Sequence, residues 1–302
     1  MSFQEDVLRT TGEVAVKTIF LLQVGFGTLA NVFLIFHNSS SILLGQRQKP
    51  THTILTHMAV ANILTLLSSG VPHTMAVFLF RNPLSSLGCK FAYYLYRVAR
   101  NTNVCFTCVL STYQVYTFNP GRVAWMMPRG RALKVISPLC CTCWMFSFLM
   151  HIYAPVIVTG PQDTENYTDF QGKWLCPSSS STARIVILWS ISDAMFIGLI
   201  IWSSGSMVLL LHRHHKRVSH IHTSNDNYKR PPEIRAARSI LMLMVTFIIP
   251  YMLNSIFTFY ITAFLDTRLW LLLISHILAL FFPTFSPLLL ILRDPRAPNF
   301  CC

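Results

Sequence analysis

Charged side chains are scarce in this sequence. Asp, Glu, Lys and Arg make up 12% of the 302 residues, against about 25% in an ordinary globular domain. Only 11 residues are acidic, while hydrophobic residues reach 53%. A soluble protein of this composition would expose large apolar patches and aggregate. The scarcity of charge therefore excludes a soluble globular protein and favours lipid as the solvent.

Several sequence features are also missing. There is no internal repeat, as many transporters have. No paired catalytic carboxylates, His-Glu-x-x-His motif or Gly-x-Ser-x-Gly motif suggests an enzyme. The Cys105 and Cys108 spacing resembles half a zinc site, but no second ligand pair accompanies it. No basic segment precedes the first apolar run, so we expect no cleavable signal peptide. We expect no cofactor and no metal.

Seven apolar segments are present, each near the roughly 20 residues that cross a hydrocarbon core. Backbone groups cannot stay unpaired in lipid, so the segments are predicted to be helices. The sequence therefore predicts an all-α membrane protein, a seven-transmembrane helix bundle that forms a single domain over residues 1–302. The predicted spans are 14–36, 53–80, 88–118, 135–158, 184–211, 239–264 and 269–292.

The distribution of charge predicts the orientation. The loops after segments one, three and five and the carboxyl tail hold 15 of the 24 Lys and Arg residues, with a net charge of +12. The opposite set of loops and flanks holds 7 basic and 7 acidic residues. The positive-inside rule places the amino terminus outside and the carboxyl terminus in the cytoplasm. The net charge of +13 thus follows from topology and does not indicate nucleic acid.

Two cysteines and one sequon fall on the predicted outer side. Cys89 and Cys176 meet an oxidising environment there and are expected to pair, the alternative being two free thiols. Asn166 opens a glycosylation sequon in the same loop as Cys176. Cys105, Cys108, Cys140, Cys141 and Cys143 lie within apolar segments and are predicted to be packing residues. Cys301 and Cys302 are either palmitoylated or an inert terminus.

Three ionisable side chains stand out deep inside the predicted spans, where such groups are costly and suggest function. Arg97 and Arg100 share one face of helix three with Asn101, at roughly 12 and 16 Å from the outer end, and Asp193 lies at roughly 13 Å in helix five. If the two helices are neighbours, Asp193 pairs with one arginine and leaves the other for a ligand. Two structural alternatives stay open, namely buried pairs that only join helices and arginines that extend to the interface.

The motifs resemble those of the type-1 vomeronasal receptors, within the G-protein-coupled receptor superfamily. The matching strings follow one another in order over nearly the whole chain. They are THMAVAN at 56–62, YRVAR at 96–100, STYQ at 111–114, SD at 192–193, GSM at 205–207, LHRH at 211–214, HIH at 220–222, FPTFSP at 282–287, RDPR at 293–296 and FC at 300–301. The chain departs from rhodopsin-like receptors at Tyr113, Gln114 and Val115, at Asn62 in helix two, and at Ser286 before Pro287.

The resemblance implies a chemosensory receptor in the plasma membrane. A small pheromone or odorant binds within the bundle and activates a heterotrimeric G protein, of the inhibitory class in this family. The ligand-binding candidates are Tyr96, Arg97, Arg100, Asn101, Asp193 and Phe196. The G-protein-contact candidates are Gln114, Arg129, Arg131, Arg213, Lys216 and Arg217. The five basic residues in this list serve equally well as topology signals beside membrane lipid. The alternatives are another seven-helix chemoreceptor, such as a bitter-taste-like receptor, and a membrane transporter.

Overall fold

The structure is a computed structural model and describes residues 2–43, 49–70, 72, 85–118, 132–157, 183–221, 232–264 and 269–293. Every element within these residues is helical. The seven long helices are α1 (Ser2–Leu43), α2 (Pro50–Thr65), α3 (Ser86–Phe118), α4 (Ala132–Met150), α5 (Ala183–Ile221), α6 (Pro232–Phe264) and α7 (Leu269–Arg293). A π-helical turn at Leu66–Gly70 continues α2, and a short helix at Ala154–Ile157 follows α4.

Within the residues that the structure describes, five of the seven helices are long and apolar enough to cross a membrane. Their apolar stretches are Thr18–Ser40, Pro50–Gly70, Ala132–Val156, Ile187–Leu210 and Ile274–Ile291. Within the described part of α6 the apolar stretch is shorter, at Met244–Phe257. In α3, Arg97, Arg100 and the amides after them lower the mean hydropathy. The predicted all-helical architecture is confirmed, while crossings by α3 and α6 remain predictions.

Helix α3 lies at the centre of the bundle. Residues 101–107 are all buried, and at 3.6 residues per turn this run covers every side of the helix. Packing against α2, α4, α5 and α6 explains why no side faces out. The main apolar core gathers buried side chains from six helices, namely Ile54, Met58, Val104, Phe106, Leu110, Ile136, Ile200, Phe247 and Phe282. Polar residues in this run of α3 therefore meet protein and not lipid.

Prolines interrupt the helices near the places that the sequence predicts. Pro250 lies inside α6, and Pro283 and Pro287 lie inside α7. Pro155 follows a turn at residues 151–153 that ends α4. Pro72 comes two residues after the π-helical turn. Each of the three prolines inside α6 and α7 removes one backbone N–H and so leaves the carbonyl four residues earlier without its usual donor.

A side chain from α1 replaces one of these missing donors. Pro287 has no N–H for the carbonyl of Pro283, and the Asn31 amide donates to that oxygen at 2.9 Å. The same amide donates to the Gly27 carbonyl at 2.7 Å. Its oxygen accepts from Asn62 at 2.9 Å, and Asn62 also donates to Ser286 at 3.0 Å. Three helices are thus joined by one buried amide whose nitrogen makes two hydrogen bonds and whose oxygen accepts one.

We expect Asn31→Ala to lower the free energy of unfolding by about 2–3 kcal/mol, because two carbonyls and one amide lose buried partners. The measurement is thermal unfolding of the purified receptor in detergent. Asn38→Ala is the matched control on the same helix, since that amide makes one long bond of 3.3 Å to Thr56. Equal losses from the two variants would contradict this account of Asn31.

Gly27 allows α1 to approach α7 closely. A Cβ at this position would stand 3.2 Å from the Thr284 Cα and 2.9 Å from the Leu66 Cδ1. One of these neighbours is backbone and cannot turn away. We therefore expect Gly27→Val to destabilise the bundle by about 1–3 kcal/mol, as overpacking does. Gly25→Val is the control, because a Cβ there has no neighbour within 4 Å, and its unfolding midpoint should match wild type.

Two of the five cysteines predicted to be packing residues are also bonded to each other. Both are buried in the main apolar core, as predicted. Cys105 and Cys143 form a disulfide between α3 and α4, with Cα atoms 6.0 Å apart, inside the usual range for such a bond. This bond was not predicted, because sequence spacing does not show which turns of two helices face each other. Cys108, Cys140 and Cys141 are free. No three metal-binding side chains cluster in the described residues.

Candidate ligand-binding site

A cluster of polar side chains lies between α3, α5, α6 and α7. We call it the Arg100 cluster, and its members are Tyr96, Arg100, Asp193, Tyr251 and Asn254. Arg100 donates a hydrogen bond from Nη1 to the Tyr96 hydroxyl at 3.1 Å. Its Cζ lies 4.6 Å from the centre of the Tyr251 ring, where a cation is attracted to the aromatic face. The cluster therefore holds a guanidinium within the bundle.

Asn254 binds the other side of the same guanidinium. The amide is oriented with its oxygen toward Arg100, because a guanidinium has only donors. In this orientation the oxygen accepts from Nη1 at 2.6 Å and from Nη2 at 2.9 Å. The amide nitrogen then donates to the Ser275 hydroxyl at 2.7 Å and to its carbonyl at 2.8 Å. One chain of hydrogen bonds thus runs from α3 through α6 to α7.

Asp193 brings a negative charge to the cluster from α5. It interacts electrostatically with Arg100 and with Tyr251. Among the described residues, however, no ion pair of 4.0 Å or less joins Asp193 to either arginine. The Tyr251 hydroxyl faces Asp193, yet no hydrogen bond of normal length reaches that hydroxyl. The ion pair that the sequence suggested between Asp193 and an arginine is therefore not formed within 4.0 Å in the described residues, and Asp193 acts on Arg100 from a greater distance.

Arg97 occupies a different environment, although it lies only three residues before Arg100. Its Cζ stands 4.3 Å from the centre of the Trp189 ring on α5. Trp189 is held in turn by a hydrogen bond to the Met150 carbonyl at 2.9 Å and by ring contact with His151. The Arg97 Nε is buried and has no hydrogen-bond partner. Arg97 therefore reaches toward α4 and α5, while Arg100 reaches toward α6 and α7.

The two remaining pocket candidates contact α4. Asn101 donates a hydrogen bond to the Ser147 hydroxyl at 3.3 Å. Phe196 packs edge to face on Phe146, with ring centres 5.7 Å apart, and belongs to the rim of the main apolar core. Of the six predicted pocket residues, Tyr96, Arg100 and Asp193 come together, whereas Asn101 and Phe196 lie at the interface with α4.

A small cavity adjoins the Arg100 cluster. Its volume is about 30 Å³, counted as the space open to the centre of a water molecule. Since one water needs roughly 10–15 Å³ on this measure, the cavity has room for about two water-sized groups. It is lined by Thr65, Arg100, Asn103, Phe247, Pro250, Tyr251, Asn254, Leu278, Ala279, Phe282 and Pro283. Two of the helix-interrupting prolines, in α6 and α7, therefore form part of its wall.

Sequence reasoning missed four residues of this site, namely Asn103, Tyr251, Asn254 and Ser275. A signal for Asn254 was present, because an amide in an apolar segment is costly without a partner. No signal identified Tyr251, since an aromatic residue in a membrane helix either lines a pocket or belongs to an interfacial belt, and the sequence does not separate the two. Which face of α6 meets α3 depends on helix rotation, and residue spacing does not fix that rotation.

The predicted residues for G-protein contact, the outer disulfide, glycosylation and palmitoylation lie away from the Arg100 cluster or outside the described residues. Gln114, a G-protein-contact candidate, is buried with 5% of its surface exposed. Cys89 is disulfide-bonded, but its predicted partner Cys176 lies outside the described residues. So do Asn166, Arg129, Arg131, Cys301 and Cys302. Arg213, Lys216 and Arg217 lie on α5, in a part where only the helix is described.

The outer surfaces of the helices are apolar. Large hydrophobic side chains such as Leu29, at 68% exposed, and Trp202, at 77% exposed, cover them. Charged and amide groups instead contact one another between the helices. Helices that present apolar side chains outward and paired polar groups inward are those of a multi-pass membrane protein. The Arg100 cluster and its cavity give this bundle a candidate site for a small molecule.

Comparison with known proteins identifies the family. The model of the vomeronasal organ pheromone receptor family matches residues 14–302. Vomeronasal type-1 receptor 3 of Homo sapiens is 36% identical over 299 residues, covering 96% of this chain and 95% of the relative. Vomeronasal type-1 receptor 4 of Homo sapiens is 36% identical over 293 residues, covering 95% and 97%. Olfactory receptor class A-like protein 1 of Danio rerio is 32% identical, covering 82% and 79%.

The chain belongs to the vomeronasal organ pheromone receptor family. The resemblance seen in the sequence motifs is thereby confirmed. The family places the chain among chemosensory membrane receptors, and the relatives named above are receptors, which supports a receptor role for this chain.

Proposed function

We propose that this chain is a G-protein-coupled receptor that binds a small pheromone or odorant between α3, α5, α6 and α7. Membership of a family described as pheromone receptors supports this. The observation that carries the proposal is the Arg100 cluster, where one guanidinium contacts side chains of α3 and α6 and lies beside a carboxylate of α5. A ligand that contacts this cluster touches three helices at once.

The same cluster offers a way to transmit binding. Arg100 is bonded to Asn254, and Asn254 lies one turn after Pro250, where α6 lacks a backbone hydrogen bond. A ligand that draws Arg100 toward itself therefore acts on α6 at its weakest point. The ligand shifts the conformational population only as far as it binds the active arrangement more tightly than the resting one.

We further propose that all seven helices cross the plasma membrane, with the amino terminus outside. The charge distribution supports this orientation, and so does a disulfide at Cys89, because disulfides form in oxidising compartments. Cys176 is then its partner and Asn166 carries a glycan. The cysteines at the carboxyl terminus, if palmitoylated, add a lipid anchor to the cytoplasmic tail.

The inner ends of the helices form the proposed contact with an inhibitory G protein. Gln114 is buried, so it reaches the G protein only when the inner ends separate. The basic candidates Arg129, Arg131, Arg213, Lys216 and Arg217 stand on the predicted cytoplasmic side. Their charge suits both anionic lipid and an acidic partner surface.

The test is a panel of volatile and steroid-like compounds applied to cells that express the chain with an inhibitory G-protein reporter. We expect at least one compound to give a saturable response that is absent in cells expressing Arg100→Leu at equal surface level. Uptake of labelled compounds into the same cells is measured in parallel. Uptake without any G-protein response would favour a transporter and overturn the proposal.

A further inference from the structure

Arg97 and Asp193 carry opposite charges in the same part of the bundle. Both act electrostatically on His151, just after α4, and on Tyr251 of α6. Opposite charges attract strongly where water is scarce, and a buried charge without a partner is costly. Within the described residues, however, no ion pair of 4.0 Å or less joins Arg97 to Asp193. The structure therefore keeps these two charges apart.

Arg97 is the arginine that is free to pair with Asp193. Arg100 already donates hydrogen bonds to Tyr96 and Asn254. The Arg97 guanidinium makes no hydrogen bond to a described residue, and its buried Nε has no partner. A buried donor in this state is costly. The Asp193 carboxylate would supply the acceptor that this donor lacks.

Asp193 lies within reach of the Arg97 side chain. Trp189, whose ring Arg97 contacts, precedes Asp193 by four residues on α5, so the two side chains share one face of that helix. A step of four residues is a rise of about 6 Å. A long arginine side chain covers this distance by a change of rotamer. Arg97 therefore has two neighbouring places on α5, an aromatic ring and a carboxylate, and it occupies the first.

Trp189 is fixed in place by the end of α4. Its Nε1 donates to the Met150 carbonyl at 2.9 Å, and its ring lies 5.0 Å from the His151 ring, centre to centre. Only 2% of its surface is exposed. The ring centre stands 4.3 Å from the Arg97 Cζ, where an aromatic face attracts a cation. A ring fixed in this way cannot follow the guanidinium, so movement toward Asp193 loses the contact.

We propose that Trp189 is a positioning residue that holds the Arg97 guanidinium away from Asp193. The ring contact offsets the attraction between the two charges, and both charges stay available to a ligand that enters between α3 and α5. Binding sites often lower the stability of a protein in this way. The availability of the charges to a ligand rests on the proposed function, whereas the placement of Arg97 does not.

The experiment measures whether removal of the ring couples Arg97 to Asp193. The purified full-length chain in lipid nanodiscs is unfolded by heat as Arg97→Gln, as Asp193→Asn and with both changes, once with Trp189 and once with Trp189→Leu. The coupling is the midpoint shift of the double variant minus the sum of the single shifts. We expect this coupling to be at least about 3 °C larger in Trp189→Leu, because the released guanidinium then pairs with Asp193.

Two further variants make the result specific. Trp202→Leu is the matched control, because this tryptophan lies on the same helix with 77% of its surface exposed. Its coupling should stay within about 1 °C of wild type. Trp189→Met retains a large, adaptable side chain without an aromatic face and serves where the leucine variant unfolds. Loss of packing alone lowers all midpoints together and cancels in the coupling.

An unchanged coupling in the Trp189 variants, or an equal rise in Trp202→Leu, would overturn the proposal. Failure of the proposed function looks different, because the coupling is measured without ligand or G protein. In that case no compound activates a G protein, and the coupling is still larger in Trp189→Leu. For a compound that does activate, Trp189→Leu should lower the potency at least about 10-fold at equal surface level, because Asp193 then holds Arg97. Equal potency would show that the ligand does not use Arg97.

Discussion

Arg100→Leu should abolish the ligand response and still reach the cell surface. The guanidinium makes three hydrogen bonds to uncharged partners and a ring contact with Tyr251. Removing it leaves Arg97 and Asp193 as one positive and one negative group in the bundle, so folding does not bury an excess charge. We expect a loss of at least about 100-fold in ligand potency, which corresponds to the loss of one or two charge-assisted bonds.

Potency and surface level are measured in the same cells, with a reporter and with an antibody to an amino-terminal tag. Arg100→Lys separates charge from shape. Lysine keeps the charge but cannot present two parallel donors to the Asn254 oxygen, so it should restore little of the potency. A variant with normal potency, or one that loses only surface delivery, would show that Arg100 does not serve ligand response.

In contrast to Arg100→Leu, Asp193→Asn should lower the amount of receptor at the cell surface before it affects the ligand response. Asp193 is the only acidic residue within the predicted spans. Without it, two guanidinium groups remain in the bundle with no carboxylate among the described residues around them. Leaving a buried charge uncompensated typically costs about 3–5 kcal/mol. We therefore expect the surface level to fall by at least about 5-fold, because destabilised receptors are retained and degraded.

The double variant Asp193→Asn with Arg97→Gln provides the decisive comparison. It removes one charge of each sign, so the surface level should recover toward wild type. Such recovery is a coupling between charged groups of the same network that single variants do not reveal. If the double variant is delivered less well than Asp193→Asn alone, charge balance is not what Asp193 contributes.

Much of the fold could be predicted from apolar segment lengths, because lipid leaves a chain few alternatives to helices. The predicted segment 269–292, for example, coincides almost residue for residue with α7. Arg97 and Arg100 were also identifiable, since their cost inside a membrane span requires an explanation. The unlike environments of these two arginines were not predictable. They depend on which helix stands beside each face of α3, and that is set by tilt and rotation.

Two other contacts were not predictable for the same reason. They are the disulfide between Cys105 and Cys143 and the Asn254 contact with Arg100. Each joins residues whose distance depends on how two helices are placed, and residue spacing within one helix says nothing about it. The Asn31 bond to Pro283 adds a second reason. This bond stabilises the bundle only because Pro287 has no N–H for the Pro283 carbonyl. Predicting it would therefore require three positions on two helices to be considered together.

The Asn31 amide also determines which part of the receptor is able to move. It joins α1 to the carboxyl-terminal half of α7 and, through Asn62, to α2. These three helices therefore form a fixed frame. Asn254 meets Ser275 after Pro250 in α6 and before Pro283 in α7. The amino-terminal half of α6 therefore lies beyond this attachment. Spin labels at the helix ends that we propose to be cytoplasmic should accordingly show constant distances within the frame and a ligand-dependent distance from the frame to α6.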